Sequence, residues 1–397
     1  MASPDRATAV RAPRLPAAER RAQLALAAAV RFHQLGYHHV SLADIAEEVG
    51  VTGPAVYRHF RNKKALLAGA ISNGLDLVED ALSRSDGESL AELVSSIADI
   101  GIDRPDLWIL LQREFRFLDL ESGAKVRKQF SRVVKGLTER LRRERPALSP
   151  EAARLLMAAA TAVLSSPSVS RTTLPRAVYK RELTRAALAV LRLRVEEVPA
   201  GGAPAARSRS KSFESLDSRR TKVVDKAIDL FFHQGYSAVT LDDIGAEVGM
   251  TGPSLYYYFP TKADILIAAF ERATTRLAAD QERRAKSETD SSLDELISSY
   301  TAFCLQNHAL AGIYVFEFIN LPFSARQQTT TVLREGVQEW TTALQKLDGR
   351  LYEAVAKVRV NAALAAAHEL VRHEELHARP RLAQEIDTIA HAILLQG

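Results

Sequence analysis

Thr52, Gly53, Pro54, Ala55, Tyr57, Arg58 and His59 share one eight-residue stretch, and Lys63 and Lys64 follow it closely. Hydroxyl, phenol, guanidinium and imidazole groups at this spacing can donate hydrogen bonds to phosphate oxygens and to base edges. The set recurs 199 residues later as Thr251, Gly252, Pro253, Ser254, Tyr256, Tyr257, Tyr258 and Lys262. Over 32–70 against 231–269 the same residue stands at 18 of 39 positions. A repeat of about 200 residues is too long for a solenoid unit and marks a duplicated domain.

The elements that must hold these groups are short helices. Ser41 and Thr240 precede an apolar run, with Asp44 and Asp243 three residues on, which is a capping signature. Leu42, Ile45, Ala46 and Val49 recur at helical spacing, as do Leu241, Ile244 and Val248. Gly50 and Gly249 can end the helix in a left-handed conformation. Thr52 and Thr251 are placed to cap the next helix, with Pro54 and Pro253 in its first turn. Val56, Leu255, Phe60 and Phe259 then face inward, and the polar set faces out. This is a helix-turn-helix, whose second helix can enter a DNA major groove.

Tyr-x-x-Phe closing the second helix, followed by Asn62-Lys63 or Thr261-Lys262 opening a long one, resembles the TetR family of transcriptional regulators. The resemblance covers residues 18–70 and 217–270. It implies an all-α chain of two tandem units, each a three-helix helix-turn-helix domain followed by a helical effector domain. TetR-type proteins are normally homodimers that pack their last two helices as a four-helix bundle. Two units on one chain can make that bundle internally, giving an intramolecular pseudo-dimer, with further homodimerisation left open. Tandem TetR chains resemble a minority type of actinobacterial repressor that controls lipid or sterol genes.

Between the copies, helical periodicity continues without alternating strand patterns, in keeping with an all-α fold. The expected helices cover 88–102, 104–120, 123–145, 149–165 and 175–194 in the first half. In the second they cover 262–287, 291–307, 309–321, 324–347, 352–373 and 379–396. Domain boundaries follow: a basic arm at 1–16, heads at 17–63 and 218–262, effector domains at 64–195 and 263–397. The Gly-, Pro-, Arg- and Ser-rich stretch 196–217 is the linker, and its 22 residues reach at most about 70 Å.

The net charge of +5 is compatible with a polyanionic partner, and residues 1–70 carry ten Lys/Arg against five Asp/Glu. Cys304 is the sole cysteine, so no intrachain disulfide or cysteine-based zinc site can form. No apolar run reaches the roughly 18 residues that span a bilayer, and the N-terminus lacks a signal-peptide core, so the expected location is cytoplasmic and nucleoid-associated, without a membrane partner.

Each candidate residue carries two readings. Tyr57 and Tyr256 are core aromatics or, from their position opposite Phe60 and Phe259, DNA contacts. Lys63 and Lys262 open helices and are phosphate clamps or idle surface charges. Arg58 can fork onto guanine or hold a phosphate. The family implies an effector pocket in each unit: Trp108, Leu111 and Phe115 in the first; Phe303, Tyr314, Phe318 and Trp340 in the second. These same aromatics also suit a plain core. Glu317, inside the apolar run IYVFEFIN, anchors a ligand or pairs with an arginine. Its presence makes the second pocket the larger or more polar expectation. His368, His373 and His377 are spaced five and four apart, which sets them off one helical face and argues against a metal site. No cofactor is expected.

The function expected is a DNA-binding regulator, a repressor released from a non-palindromic operator by a small hydrophobic ligand. By resemblance that ligand is an acyl-CoA, a fatty acid or a sterol-derived acid. A ligand-independent architectural DNA-binding protein is the alternative. No Gly-rich phosphate loop, nucleophile elbow or acid/base pair points to an enzyme.

Overall fold

The computed structural model describes residues 15–170, 172–195, 216–286 and 292–396. Most of the basic arm and of the linker therefore lies outside the described residues. Among those described, every regular element is helical. The first unit contains α1 (Ala17–Leu35), α2 (Leu42–Val49), α3 (Gly53–Tyr57), α4 (Lys63–Arg84), α5 (Leu90–Asp103), α6 (Pro105–Ile109), α7 (Leu120–Glu144), α8 (Pro150–Ser165) and α9 (Arg176–Arg192). The second repeats the order with α10 (Leu216–Gln234), α11 (Leu241–Val248), α12 (Gly252–Tyr258), α13 (Lys262–Ala285), α14 (Leu293–Gln306), α15 (His308–Glu317), α16 (Phe323–Leu347), α17 (Glu353–Arg372) and α18 (Leu382–Leu395).

Local chemistry starts and stops the head helices as the sequence implies. Ser41 with Asp44, and Thr240 with Asp243, form reciprocal capping boxes, and Gly50 and Gly249 end α2 and α11 at φ 69° and 66°. Ser89–Glu92, Thr261–Asp264 and Ser292–Glu295 cap α5, α13 and α14 in the same way. Each box satisfies two backbone donors that a helix start otherwise leaves open.

One expectation fails in detail. The span 104–120 is not one α-helix: α6 is followed by a π-helical turn at Leu110–Glu114 and a 3-10 turn at Phe115–Phe117. The wider turn leaves Arg113 and Glu114 buried, where they pair with each other and with the head. An inserted turn of this kind cannot be read from apolar periodicity.

The units join through α8, α9, α17 and α18, which pack as a four-helix bundle within the chain. The facing surfaces explain the closeness. Ala152, Ala153, Ala159, Ala160 and Ala162 on α8, and Ala356, Ala362, Ala363, Ala366 and Ala367 on α17, are buried. Small side chains let the helix axes approach, while Leu183, Val190, Ile386, Ile389 and Ile393 fill the flanks. Polar seals cross the seam. Arg359 Nη2 and Nε donate to Glu182 Oε2 at 3.0 and 3.2 Å, and Gln112 Nε2 donates to Glu369 at 3.0 Å. The pseudo-dimer expected from the duplication is thus present in one polypeptide.

Candidate nucleic-acid interface and effector cavity

In each head the second helix exposes the side chains read as outward-facing. Tyr57, Tyr256 and Tyr257 are 59, 53 and 79% exposed, whereas Phe60 and Phe259 are 1 and 0% exposed. Ser41, Thr52, Pro54, Arg58, Lys64, Thr240, Thr251, Pro253 and Ser254 are also exposed, with Gly53, Ala55, His59, Gly252 and Tyr258 half-buried beside them. Tyr257 and Tyr258 meet edge to face at 5.4 Å, so the second head presents an aromatic surface where the first presents Arg58 and His59. Thr52 and Thr251 occupy the cap position, yet neither side chain caps its helix. Pro54 and Pro253 have no N–H to offer, and the Ala55 and Leu255 amides donate to the Thr52 and Thr251 carbonyls instead. The Thr52 hydroxyl stays available to a partner, and the Thr251 hydroxyl lies 3.0 Å from Ser254 Oγ.

The two lysines that recur across the repeat are turned inward, which corrects their reading as plain phosphate clamps. Lys262 Nζ donates to the carbonyls of Tyr236 and Val239, both at 2.6 Å, and lies 4.4 Å over the Tyr236 ring. Lys63 Nζ lies 4.3 Å over Tyr37. Burial lowers both ammonium pKa values, with Glu114 opposing this for Lys63 and Glu317 for Lys262. Each lysine thus ties the loop before the head's second element to the long helix that carries the head. A phosphate contact by Lys262 is left with one remaining N–H.

Two arginines overlooked in the sequence close the other end. Arg21 donates to the His59 carbonyl and lies 4.1 Å over the Phe60 ring. Arg220 donates to the Tyr258 carbonyl at 3.0 Å and lies 4.2 Å over Phe259. They are related by the same 199-residue offset, and that recurrence was the available signal.

Behind the heads, Glu114 and Glu317 occupy matching places. Glu114 Oε1 accepts from the Tyr37 amide at 3.3 Å and from Arg113 Nε at 2.6 Å. Burial raises its pKa, and the Arg113 charge opposes the rise. Glu317 is fully buried; it accepts from the Tyr236 amide at 3.2 Å, from Asn320 Nδ2 at 2.7 Å, and from Arg116 of the first unit. Glu317 is therefore an ion-pair partner, and its carboxylate is committed within the protein rather than to a ligand.

Trp108, Leu111 and Phe115 come together as read, around a cavity of about 410 Å³ between α6, α7, α8 and the end of α17. Phe130, Leu137 and Met157 add apolar wall; Arg127 and Arg154 stand on the lining, and Arg372 with His373 close it from the second unit. Trp108 Nε1 has no hydrogen-bond partner among the described residues. The second unit does not mirror this. Phe303 and Trp340 border a space of only about 60 Å³, because Tyr300 packs against both rings, at 6.3 and 5.8 Å. Tyr314 and Phe318 line a different space, a cleft of about 310 Å³ between the units. The expectation of a larger second pocket is reversed: its aromatics fill their own volume. Cys304 is buried there, its thiol pushed up to about 12 by burial. Among the described residues no group of His, Cys, Asp or Glu could hold a metal ion, and no single helix is long and apolar enough to cross a membrane.

The family model described as bacterial regulatory proteins, tetR family, matches at residues 25–70 and again at 223–269. These spans contain both helix-turn-helix copies whole. At both heads, then, the chain matches the TetR family of regulatory proteins. Among curated proteins it is 40% identical over 63 residues to the HTH-type transcriptional activator FasR of Mycolicibacterium smegmatis, covering 16% of this chain and 29% of FasR. It is 46% identical over 46 residues to IcaR, the negative transcriptional regulator of the biofilm operon icaADBC in Staphylococcus aureus, covering 12% of this chain and 25% of IcaR. The chain thus spans under a third of the length of these relatives. A solved TetR-family regulator from Bordetella parapertussis aligns over 44% of this chain and 93% of its own, at 15% identity and a TM-score of 0.41. Bacillus subtilis FadR, solved with stearoyl-CoA, aligns over 44% and 97% at 18% identity and a TM-score of 0.35.

Of the TetR-type features, the head residues were readable and the supports behind them were not. Arg113 Nη2, which donates to the carbonyl of Phe32 at 2.6 Å and to that of His33 at 3.2 Å, holds the end of α1 from 80 residues away. Nothing in its local pattern marks it.

Proposed function

We propose that this TetR-family chain is a sequence-specific DNA-binding transcriptional regulator that reads an asymmetric operator with two unlike heads of one molecule. The observation that supports this most is the internal four-helix bundle, which mounts α3 and α12 on one frame with their polar faces exposed. Arg58 offers a donor fork suited to guanine, and Tyr257 a hydroxyl and a ring edge. The DNA contacts fall to Thr52, Tyr57, Arg58, His59 and Lys64 in the first head. In the second they fall to Thr251, Ser254, Tyr256, Tyr257 and Tyr258. Ser41 and Thr240 add backbone contacts at the helix starts.

The cavity of the first unit is the effector site. Its walls are mainly apolar, and Arg127, which has no carboxylate partner among the described residues and lies 5.5 Å over Phe115, puts a cation beside it. An anionic amphipath such as a fatty acid or acyl thioester suits that combination. Its binding favours a state in which the two helices no longer match successive grooves, so ligand relieves repression. Selection from a random duplex pool by the full chain, with the mass of the complex measured, tests the reading. One chain on one asymmetric sequence is expected. No enrichment, or enrichment only of perfect palindromes bound by two chains, contradicts it.

A further inference from the structure

Glu114, Phe115 and Arg116 are consecutive, yet they serve three places. Glu114 holds the Tyr37 amide of the first head. Phe115 lines the cavity. Arg116 crosses to Glu317, which holds the Tyr236 amide of the second head. The backbone that carries them is the junction of the π turn and the 3-10 turn, poorer in regular helix bonds than its neighbours. Arg116 also packs on the second head directly: a Cβ on Gly235 would stand 2.5 Å from its guanidinium carbon. A parallel contact leaves the cavity on the second unit's side, where Arg372 lies 5.6 Å over Phe316 and Arg116 lies 6.0 Å from that ring.

We propose that residues 114–116 couple one cavity to both heads, so that a single effector per chain moves the two reading helices together. The idea rests on the cavity being the effector site. Its physical basis is that side chains on three successive residues of one short turn cannot shift independently. If Phe115 yields to a ligand, the turn rotates, and Glu114 and Arg116 carry the Tyr37 and Tyr236 loops with them. The matching turn of the second unit, Glu317 followed by the 3-10 segment Phe318–Asn320, has no π turn before it and carries no cation. Phe316 stands where Arg113 does, and Ile319 where Arg116 does, and Ile319 offers the first head an apolar side chain beside Gly36 rather than a charge. The chain therefore needs one ligand, and its response to ligand carries no cooperativity between units.

Amide hydrogen exchange on the full chain tests this without knowing the ligand. Ala158→Phe places a ring in the cavity that Ala158 lines. It should change exchange in both loops, 36–40 and 235–239, by at least about threefold. Arg116→Met should raise exchange in 235–239 by about tenfold or more. It should also abolish that loop's response to Ala158→Phe while 36–40 still responds. Should Arg116→Met not fold, Arg116→Met with Glu317→Met removes both members of the ion pair and reads the same uncoupling. A response to Ala158→Phe in one loop only, in neither, or unaltered by removal of Arg116 overturns the coupling. DNA selection by the unaltered chain is a separate readout, so failure of the regulator reading is told apart from failure of the coupling.

Discussion

Glu114 and Glu317 perform one task with different partners. Each accepts the amide of a tyrosine in the loop that leads into a reading head. Glu114 finds its cation next door in Arg113; Glu317 has Phe316 there and takes its cation, Arg116, from the other unit. The first unit finds the ion-pair partner of this carboxylate within itself, and the second takes it from the other unit. A duplicated domain can divide labour because one copy is able to supply what the other lacks. A second difference runs alongside: the first unit keeps an apolar cavity, while the second has packed its aromatics together.

The sharpest way to break the first contrast is Arg116→Met. It leaves a fully buried carboxylate without its cation, which should cost about 3–5 kcal/mol in urea unfolding, concentrated in the second head. Adding Glu317→Met should recover most of that stability. A cost below about 1 kcal/mol would show that Glu317 does not depend on the other unit.

The second contrast predicts an acid response. His368, in the filled second unit, shares a hydrogen bond with the Tyr300 hydroxyl at 2.6 Å, and burial lowers its pKa from 6.5 to about 4. A histidine held neutral by the fold leaves stability intact above the unfolded value and loses it as pH falls from 6.5 through about 4. The gap is worth at most about 3 kcal/mol, and less here because the ring also borders the inter-unit cleft. His368→Leu should flatten thermal stability across that window. An unchanged slope would remove His368 from the account.

Smaller effects separate DNA contacts from internal supports. Lys64→Ala should flatten the slope of log K against log salt by about 0.9, the share of one neutralised phosphate. Lys262→Ala should leave the slope nearly unchanged but lower the melting temperature, since its ammonium is held by the Tyr236 and Val239 carbonyls. Equal flattening by both would restore the phosphate-clamp reading. Smallest, Ser41→Ala and Thr240→Ala should each cost about 1 kcal/mol of stability. Thr52→Ala should cost almost none, because its hydroxyl caps nothing.

The heads were legible because their determinants are local. Caps, left-handed glycines and a 3.6-residue apolar stripe all fall within about 20 residues, and their recurrence reinforced the pattern. The supports were not, because Arg116 and Glu317 stand 201 residues apart and nothing local pairs them. The cavity was half legible. Trp108, Leu111 and Phe115 look no different in sequence from Phe303, Tyr314 and Trp340. What separates them is the neighbour across the gap: Ala158, Thr161 and Ala162 leave space in the first unit, whereas Tyr300 closes it in the second.

One chain presents two inequivalent heads, and symmetrised operators test this most directly. Two duplexes, each repeating one half of the selected site, are compared with the native site at one chain per duplex. Each wrong half-site should weaken binding at least about tenfold, as a mismatched base pair typically costs about 1–3 kcal/mol. Equal affinity of a single chain for either symmetric duplex would contradict the account.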